Sequence, residues 1–403
     1  MWRLALRNIF RQRMRTALTL AAILFGVVGI ILSGGFVEDV FVQLRESTIR
    51  SHLGHIQVYR AGYSELGRRD PLAYLIEDPA TIAQDIESLP NVEAVMARLS
   101  FSGLLNNGKA DLPIIGEGIE PGKEAELGTA VSMVQGRMLG DEDAYGVVVG
   151  QGVAAALKLA TGDFVTLVSS TPDGAVNSLE FEVVGVFRTF SKDFDDRAVR
   201  IPLAAAQELL YTNGVHALVV LLSDTALTDP VLGDVKRKLS AGEFEVKPWH
   251  ELAEFYAKTV DLYRRQFGAL QLIILVMVLL SVGNSVNMAL HERTGEFGTL
   301  QALGQRRGQI IRLILLENTL LGLLGGTIGV VVGVALALAI SRMGIPMPPP
   351  PGSNVGYVAF IRIVPGVLAV AFVIGAISTV LAALMPARRI TRVAVVDALR
   401  ENI

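Results

Sequence analysis

His291-Glu-Arg-Thr-Gly-Glu-Phe-Gly-Thr-Leu-Gln-Ala-Leu-Gly304 separates two long apolar runs, Phe267 to Leu290 and Thr319 to Ile340. Phe297, Leu300 and Leu303 recur at helical spacing while Glu292, Arg293 and Glu296 fall on other faces, which predicts a short helix with an apolar stripe and a charged flank. Gly298 permits close backbone approach and Gly304 a sharp exit. Between two membrane-length runs such a helix is placed to act as a lever at a membrane surface. The residues alone leave an ordinary solvated loop helix equally open.

The flanking runs decide the fold. Each is free of formal charge and long enough, as helix, to cross about 30 Å of hydrocarbon. Ala17 to Val37 and Ile363 to Ala387 meet the same test, and four such runs account for a chain that is 51% hydrophobic and 19% charged. The fold class expected is therefore an α-helical integral membrane protein with four transmembrane helices. Arg3, Arg7, Arg11, Arg13 and Arg15 precede the first span without an acidic residue among them. Arg293, Arg306, Arg307 and Arg312 lie between spans two and three, and Arg388, Arg389 and Arg392 follow span four. Positive charge gathers on the cytoplasmic side, so both termini are expected there, in a multi-pass membrane protein. Arg264, Arg265 and Arg362 then fall outside, against the trend.

The expected order is a cytoplasmic amphipathic helix (1–16), span one (17–37), a periplasmic domain with stalks (38–265, with an insert at about 118–200) and span two (266–290). A cytoplasmic segment (291–312), span three (313–341), a short periplasmic loop (342–362), span four (363–387) and a cytoplasmic C-terminus (388–403) follow. Trp2, Leu6, Ile9 and Phe10 share one face of the first helix, suited to the membrane surface. The basic start before an apolar run resembles a signal peptide, but the run is long and its small-residue site weak, so an uncleaved anchor is expected. There is no cysteine, which excludes disulfides and thiolate metal sites.

Glu38 to Arg50 and the residues from Leu252 read as stalks leading out of span one and into span two. Between them, helix-then-strand units at Ala80 to Leu99 and Pro230 to Pro248 point to a pseudo-symmetric α/β core. The insert is strand-rich: Gly146 to Gly150, Phe164 to Val168 and Leu179 to Val186. Thr171-Pro-Asp-Gly174 has turn chemistry and makes its flanking strands a hairpin, either a plain surface turn or a loop that touches a soluble partner. Span three carries overlapping small-xxx-small pairs, Gly322 with Gly326, Gly325 with Gly329 and Gly329 with Gly333, which let another helix backbone come close.

Catalytic patterns are missing. No phosphate-binding Gly-x-x-x-x-Gly-Lys loop, His-Glu-x-x-His or Gly-x-Ser-x-Gly occurs, and His52, His55, His216, His250 and His291 lack ligand spacing, so no enzyme activity, metal or cofactor is expected in this chain. Nothing resembles a nucleic-acid-binding face.

Several stretches resemble the MacB/FtsX-like family of ABC transporter permeases (type VII, mechanotransmission), and within it the lipoprotein-releasing, Lol-type branch. They are Ala5 to Arg11 with Arg15 to Thr19, the segment His291 to Gly304, and Pro386 to Leu399. Gly118-Ile-Glu-Pro121, Val147 to Ala154 and Gly185 to Phe190 are similar to the Lol-type pattern in the external domain. The resemblance implies a βαβ porter part plus a strand-rich insert between spans one and two. It also implies a second permease, identical or homologous, membrane lipid as surroundings, and two cytoplasmic ATPase subunits that bind ATP and Mg. Glu292, Arg293, Glu296, Phe297, Gly298, Ala302, Leu303 and Gly304 would dock on the ATPase, and Thr171, Pro172, Asp173 and Gly174 would contact a periplasmic carrier or adaptor. The implied function is lipoprotein or lipid extraction or export. Drug or peptide efflux with an adaptor and outer-membrane channel, and FtsX-like regulation of a periplasmic cell-wall hydrolase, stay open.

Overall fold

The computed structural model describes residues 13–67, 71–127, 131–239, 242–348 and 356–390. The amphipathic stretch 1–12 and most of the C-terminal motif lie outside the described residues. Among the described residues four helices are long and apolar enough to cross a membrane: Arg13–Thr48, Glu254–Glu292, Arg307–Met343 and Pro365–Ile390. Helix one runs past Val37 through Thr48 without a break, and helix two begins at Glu254, so each span is continuous with a stalk. Helix three starts at Arg307, inside the segment expected between spans, because Ile310, Leu313 and Ile314 are buried against its neighbours. The chain divides into two units, one holding the spans and the other residues 43–259 with 347–357.

In the span unit, glycine sets the packing. Gly325, Gly329 and Gly333 face helix one, where an added Cβ would lie 3.0 Å from Ile23, 2.8 Å from Val27 and 2.8 Å from Ile31. Gly322 and Gly326 turn instead toward helix four, meeting Thr379 with Ala376, and Phe372. The overlapping glycine pairs thus serve two neighbours in the same chain. At the far end of helix one, Asp39, 1% exposed, accepts from the Phe360 amide and the Arg362 guanidinium, both at 2.9 Å.

In the second unit, β1 (Ile56–Arg60), β2 (Val92–Asn106), β9 (Ala217–Leu222) and β10 (Phe244–Pro248) form an antiparallel sheet in the order β10-β1-β9-β2. Helix Pro79–Glu87 connects β1 to β2 and helix Thr228–Lys238 connects β9 to β10. This is the split βαβ arrangement, βαββαβ with β9 between the parallel pair. Ala83, Ile86, Val231 and Val235 bury one face of the sheet against Val95 and Leu218, while Leu127 covers the other at Met96 and Val219.

β2 is 15 residues long and serves both parts: Val92 to Arg98 pairs with β9, and Leu99 to Asn106 pairs with β3 (Asp111–Ile119). From there β8 (Ala198–Pro202), β5 (Gly146–Gly150), β7 (Val176–Arg188) and β6 (Phe164–Ser170) continue until β6 pairs back onto β2, closing a six-stranded barrel. Closure removes the exposed edges an open insert would present. β4 (Ser132–Gly136) extends β7 outside the ring. The insert therefore begins at Leu99 rather than Gly118, because the strand that leaves the porter sheet is the one that starts the barrel.

Candidate functional site

The lever begins where helix two ends. Arg293 leaves helical geometry, with φ −102° and ψ 12°, and a new helix runs from Thr294 to Ala302. Thr294 bonds the His291 carbonyl at 2.6 Å, and Gly304 exits at φ +90°, where a side chain would be strained. Arg293 ties the new helix to helix three through three contacts: its Nη1 lies 2.7 Å from Glu317 of helix three, its Nε 3.0 Å from Glu296, and its guanidinium 5.1 Å from the Phe297 ring. The side chains of Arg293 and Glu317 are 11% and 9% exposed, so removing one partner would cost more than breaking a surface ion pair.

The eight expected coupling residues divide by burial. Phe297 and Gly298 are inside, Phe297 within the cluster of Val286, Leu290, Ile310 and Ile314. Arg293 is half-buried and committed to Glu317. Glu292, Glu296, Ala302, Leu303 and Gly304 are exposed, Leu303 by 77%. The apolar stripe is thus split: its first residue anchors the helix in the bundle and its last presents a large apolar group to the outside.

Two family models match, the MacB-like periplasmic core domain over residues 16–238 and the FtsX-like permease C-terminal domain over residues 268–395. The chain belongs to the MacB/FtsX-like family of ABC transporter permeases. It is 24% identical over 269 residues to an uncharacterized ABC transporter permease, MJ1507, of Methanocaldococcus jannaschii, covering 64% of this chain and 63% of that protein. The pyoverdine export ATP-binding/permease protein PvdT of Pseudomonas aeruginosa is 27% identical, with 84% and 50% covered. The lipoprotein-releasing system transmembrane protein LolC of Xylella fastidiosa is 24% identical, with 63% of each covered. The chain spans between half and two thirds of the length of these relatives.

In this MacB/FtsX-like permease a second constellation lies in the periplasmic domain, where residues 49–53 follow directly on helix one. Arg98 from β2, Glu117 from β3, Glu124 from helix Pro121–Leu127 and Arg200 from β8 are each at most 3% exposed. Arg98 forks onto Glu124 at 2.8 and 3.0 Å, and Arg200 Nε reaches Glu117 at 3.0 Å. One further nitrogen of each guanidinium holds the end of the stalk: Arg200 Nη2 donates to the Ser51 carbonyl at 2.9 Å, and Arg98 Nη1 to the His52 carbonyl. Burial alone would push the Glu117 carboxyl up, but Arg98, Arg200 and His52 hold it well below the usual carboxylate range. Around this joint Ile49 packs on Trp249 and Ala253, and Glu46 accepts from Thr225, which in turn meets His55 at 3.1 Å.

The sequence reading missed this network, since its members are spread from position 98 to 200 and charges in strands suggest exposure. The one available signal was Arg200, alone in the apolar run Ala198 to Pro202. His55 and His216 are buried and accept backbone amides at Nδ1, from Leu222 at 3.1 Å and Ser100 at 3.2 Å. Burial pushes both imidazoles down to about 4. Thr171 to Gly174 form the turn between β6 and β7, closed by the Thr171 and Gly174 amides, with Gly174 at φ +79°. Thr171 is buried, and Pro172, Asp173 and Gly174 are exposed.

Proposed function

We propose that the chain is the membrane subunit of an ABC complex in which cytoplasmic ATPase subunits, bound at the lever, drive a conformational change of the periplasmic domain to extract or export a lipidated or amphiphilic substrate. Both termini lie in the cytoplasm, ATP and Mg bind to the partner ATPase, and a second permease completes the pair. The observation that carries the reading is the lever itself. Its exposed edge offers Glu292, Glu296 and Leu303, while its inner edge is tied through Arg293 and Phe297 to helix three, so a push on the edge is delivered to the bundle. Pro172 to Gly174 are the contact for a periplasmic carrier or adaptor.

The similarity to LolC supports lipoprotein as substrate, and the broader similarity to PvdT supports small-molecule efflux as the second reading. Affinity purification of the tagged chain in mild detergent, with mass spectrometry of what co-purifies, separates them. An ATPase with a lipoprotein or soluble lipid carrier supports extraction, an ATPase with an adaptor supports efflux, and a cell-wall hydrolase partner supports regulation without transport. Absence of any ATPase under conditions that preserve the complex would remove the transporter reading. Glu296→Lys reverses the charge at the lever's edge and is expected to lower ATPase coupling with insertion intact; unchanged coupling would sink the docking assignment.

A further inference from the structure

Glu46 lies on the stalk end of helix one, about one and a half turns before the Ser51 carbonyl that Arg200 holds. Its Oε1 accepts from the Thr225 hydroxyl at 2.9 Å, and Thr225 Oγ1 lies 3.1 Å from His55 Nε2. Thr225 opens the single turn Thr225–Leu227 between β9 and helix Thr228–Lys238, and His55 stands one residue before β1. The chain of three therefore reaches from the stalk to the two inner strands of the porter sheet, and all of it lies within the unit 43–259. Its polarity follows from its partners. His55 Nδ1 accepts the Leu222 amide at 3.1 Å, so the ring proton sits on Nε2 and is given to Thr225. The Thr225 oxygen, accepting that proton, turns its own hydrogen to Glu46. His55 is 0% exposed, its amide donates to Val220 and its carbonyl accepts from Trp249, both at 2.9 Å, so the ring is a fixed point of the sheet. On the stalk, Arg45 at 3.2 Å and Arg50 at 3.7 Å steady the Glu46 carboxylate.

We infer that Glu46, Thr225 and His55 are positioning residues that fix the direction of the stalk against the porter sheet, so that a swing of the stalk is carried to the sheet as a whole. Arg98 and Arg200 hold the stalk at one place, the carbonyls of Ser51 and His52. One attachment fixes position and leaves a pivot. The Glu46 chain is a second attachment about 7 Å along the helix, and two attachments fix direction. The two end on different strands: Arg98 and Arg200 belong to β2 and β8, while His55 precedes β1 and Thr225 follows β9. The link that crosses from porter to stalk ends on a carboxylate, the stronger kind of hydrogen bond. The use of the swing rests on the proposed function; the attachment itself does not.

The chain has no cysteine, so spin labels at Ser47→Cys on the stalk and Glu93→Cys, exposed on β2, report one separation without background. Pulsed electron resonance on the detergent-purified full chain is expected to give a single narrow distance distribution. Thr225→Val keeps the shape and removes the hydroxyl. It is expected to raise the detached fraction about tenfold, the effect of one lost hydrogen bond to a carboxylate, seen as a second, broader component. Thr225→Ser restores the hydroxyl and is expected to restore the narrow distribution. Glu46→Ala removes the acceptor from the stalk without touching the porter and is expected to broaden the distribution as valine does. An unchanged distribution in the valine and alanine variants would overturn the inference, as would a serine variant as broad as the valine one. Broadening that comes with loss of the Trp249 melting transition would overturn it in favour of a merely structural role. In the complex with its ATPase, the ATP-driven change in label separation is expected to shrink in the valine variant. A wild type with no such change would sink the proposed function, whereas the widths without nucleotide decide the attachment.

Discussion

Glu117→Gln is the sharpest perturbation of the periplasmic domain. It removes one of two carboxylates from a buried set of two arginines and two glutamates, and so leaves one uncompensated positive charge. Arg200, with a side chain 0% exposed, loses its 3.0 Å partner and keeps Glu124 at 3.6 Å and the Ser51 carbonyl at 2.9 Å. Breaking a buried pair costs about 3–5 kcal/mol, and the surviving carboxylate places this case near the lower end, at about 3 kcal/mol. For a domain of this size that is a fall in melting temperature of roughly 6–12 °C. Trp249 packs on Ile49 beside the network, so its fluorescence in the purified full chain follows the transition. Lys192→Gln, which removes the exposed pair with Asp196, serves as the control and is expected to leave the transition in place. If Glu117→Gln melts with the wild type, the network holds nothing. Replacing Glu117 and Arg200 together by Met is expected to recover stability, since apolar substitutes for a whole buried pair are often neutral. That double variant no longer holds the Ser51 carbonyl, so under the proposed function it is expected to be stable and yet impaired in ATP-driven work.

Acid should loosen the same domain. His55 and His216 have folded values near 4 against an ordinary 6.5, so between those pH values the unfolded chain binds more protons and stability falls as pH falls. The loss is roughly 2 kcal/mol per histidine by pH 5, and a Trp249 melting temperature that is the same at pH 7 and pH 5 would refute it. Glu117, with its depressed value, adds a further loss only below about pH 4.5, the ordinary carboxylate range. In the bundle, Gly329→Leu forces a side chain into Val27 and is expected to cost about 1–3 kcal/mol, read as earlier thermal aggregation in detergent. Gly366→Ala, with nothing within 4 Å, is expected to be neutral, and equal effects would show that the close contact does not matter.

The spans were legible because hydrocarbon imposes length and apolarity on the sequence itself, and the stalks because helical spacing continued past the apolar runs. The porter helices were legible for the same periodic reason. β9 was not: Ala217 to Leu222 is buried on both faces, so it carries no alternation to read. The barrel was hidden by the double use of β2, since no local pattern tells that one strand serves two sheets. The three arginines that ran against the charge asymmetry each have a partner that sequence distance concealed or left ambiguous. Arg362 meets Asp39, Arg264 lies 5.9 Å from the Phe41 ring, and Arg265 pairs with Asp261 at 2.8 Å.

The proposed function has the chain transmit force, which demands stiffness wherever its helices are interrupted, and two interruptions lie along the chain between the lever and the periplasmic domain. One is at Arg293, between helix two and the lever; the other is at residues 49–54, where helix one gives way to β1 through a wide turn and Gly54 at φ +65°. Both are spanned by guanidinium groups with little or no exposure: Arg293 ties the lever to Glu317, and Arg98 with Arg200 holds the carbonyls of Ser51 and His52. Arginine suits this because its planar fork fixes two partners at once and its own charge is not lost in the physiological pH range, as a histidine's would be. The glycine faces of helix three act in the same direction by letting backbones touch, which leaves little compressible side chain between one span and the next. Stiffness at the breaks and close contact between the spans are what the proposed mechanical role calls for.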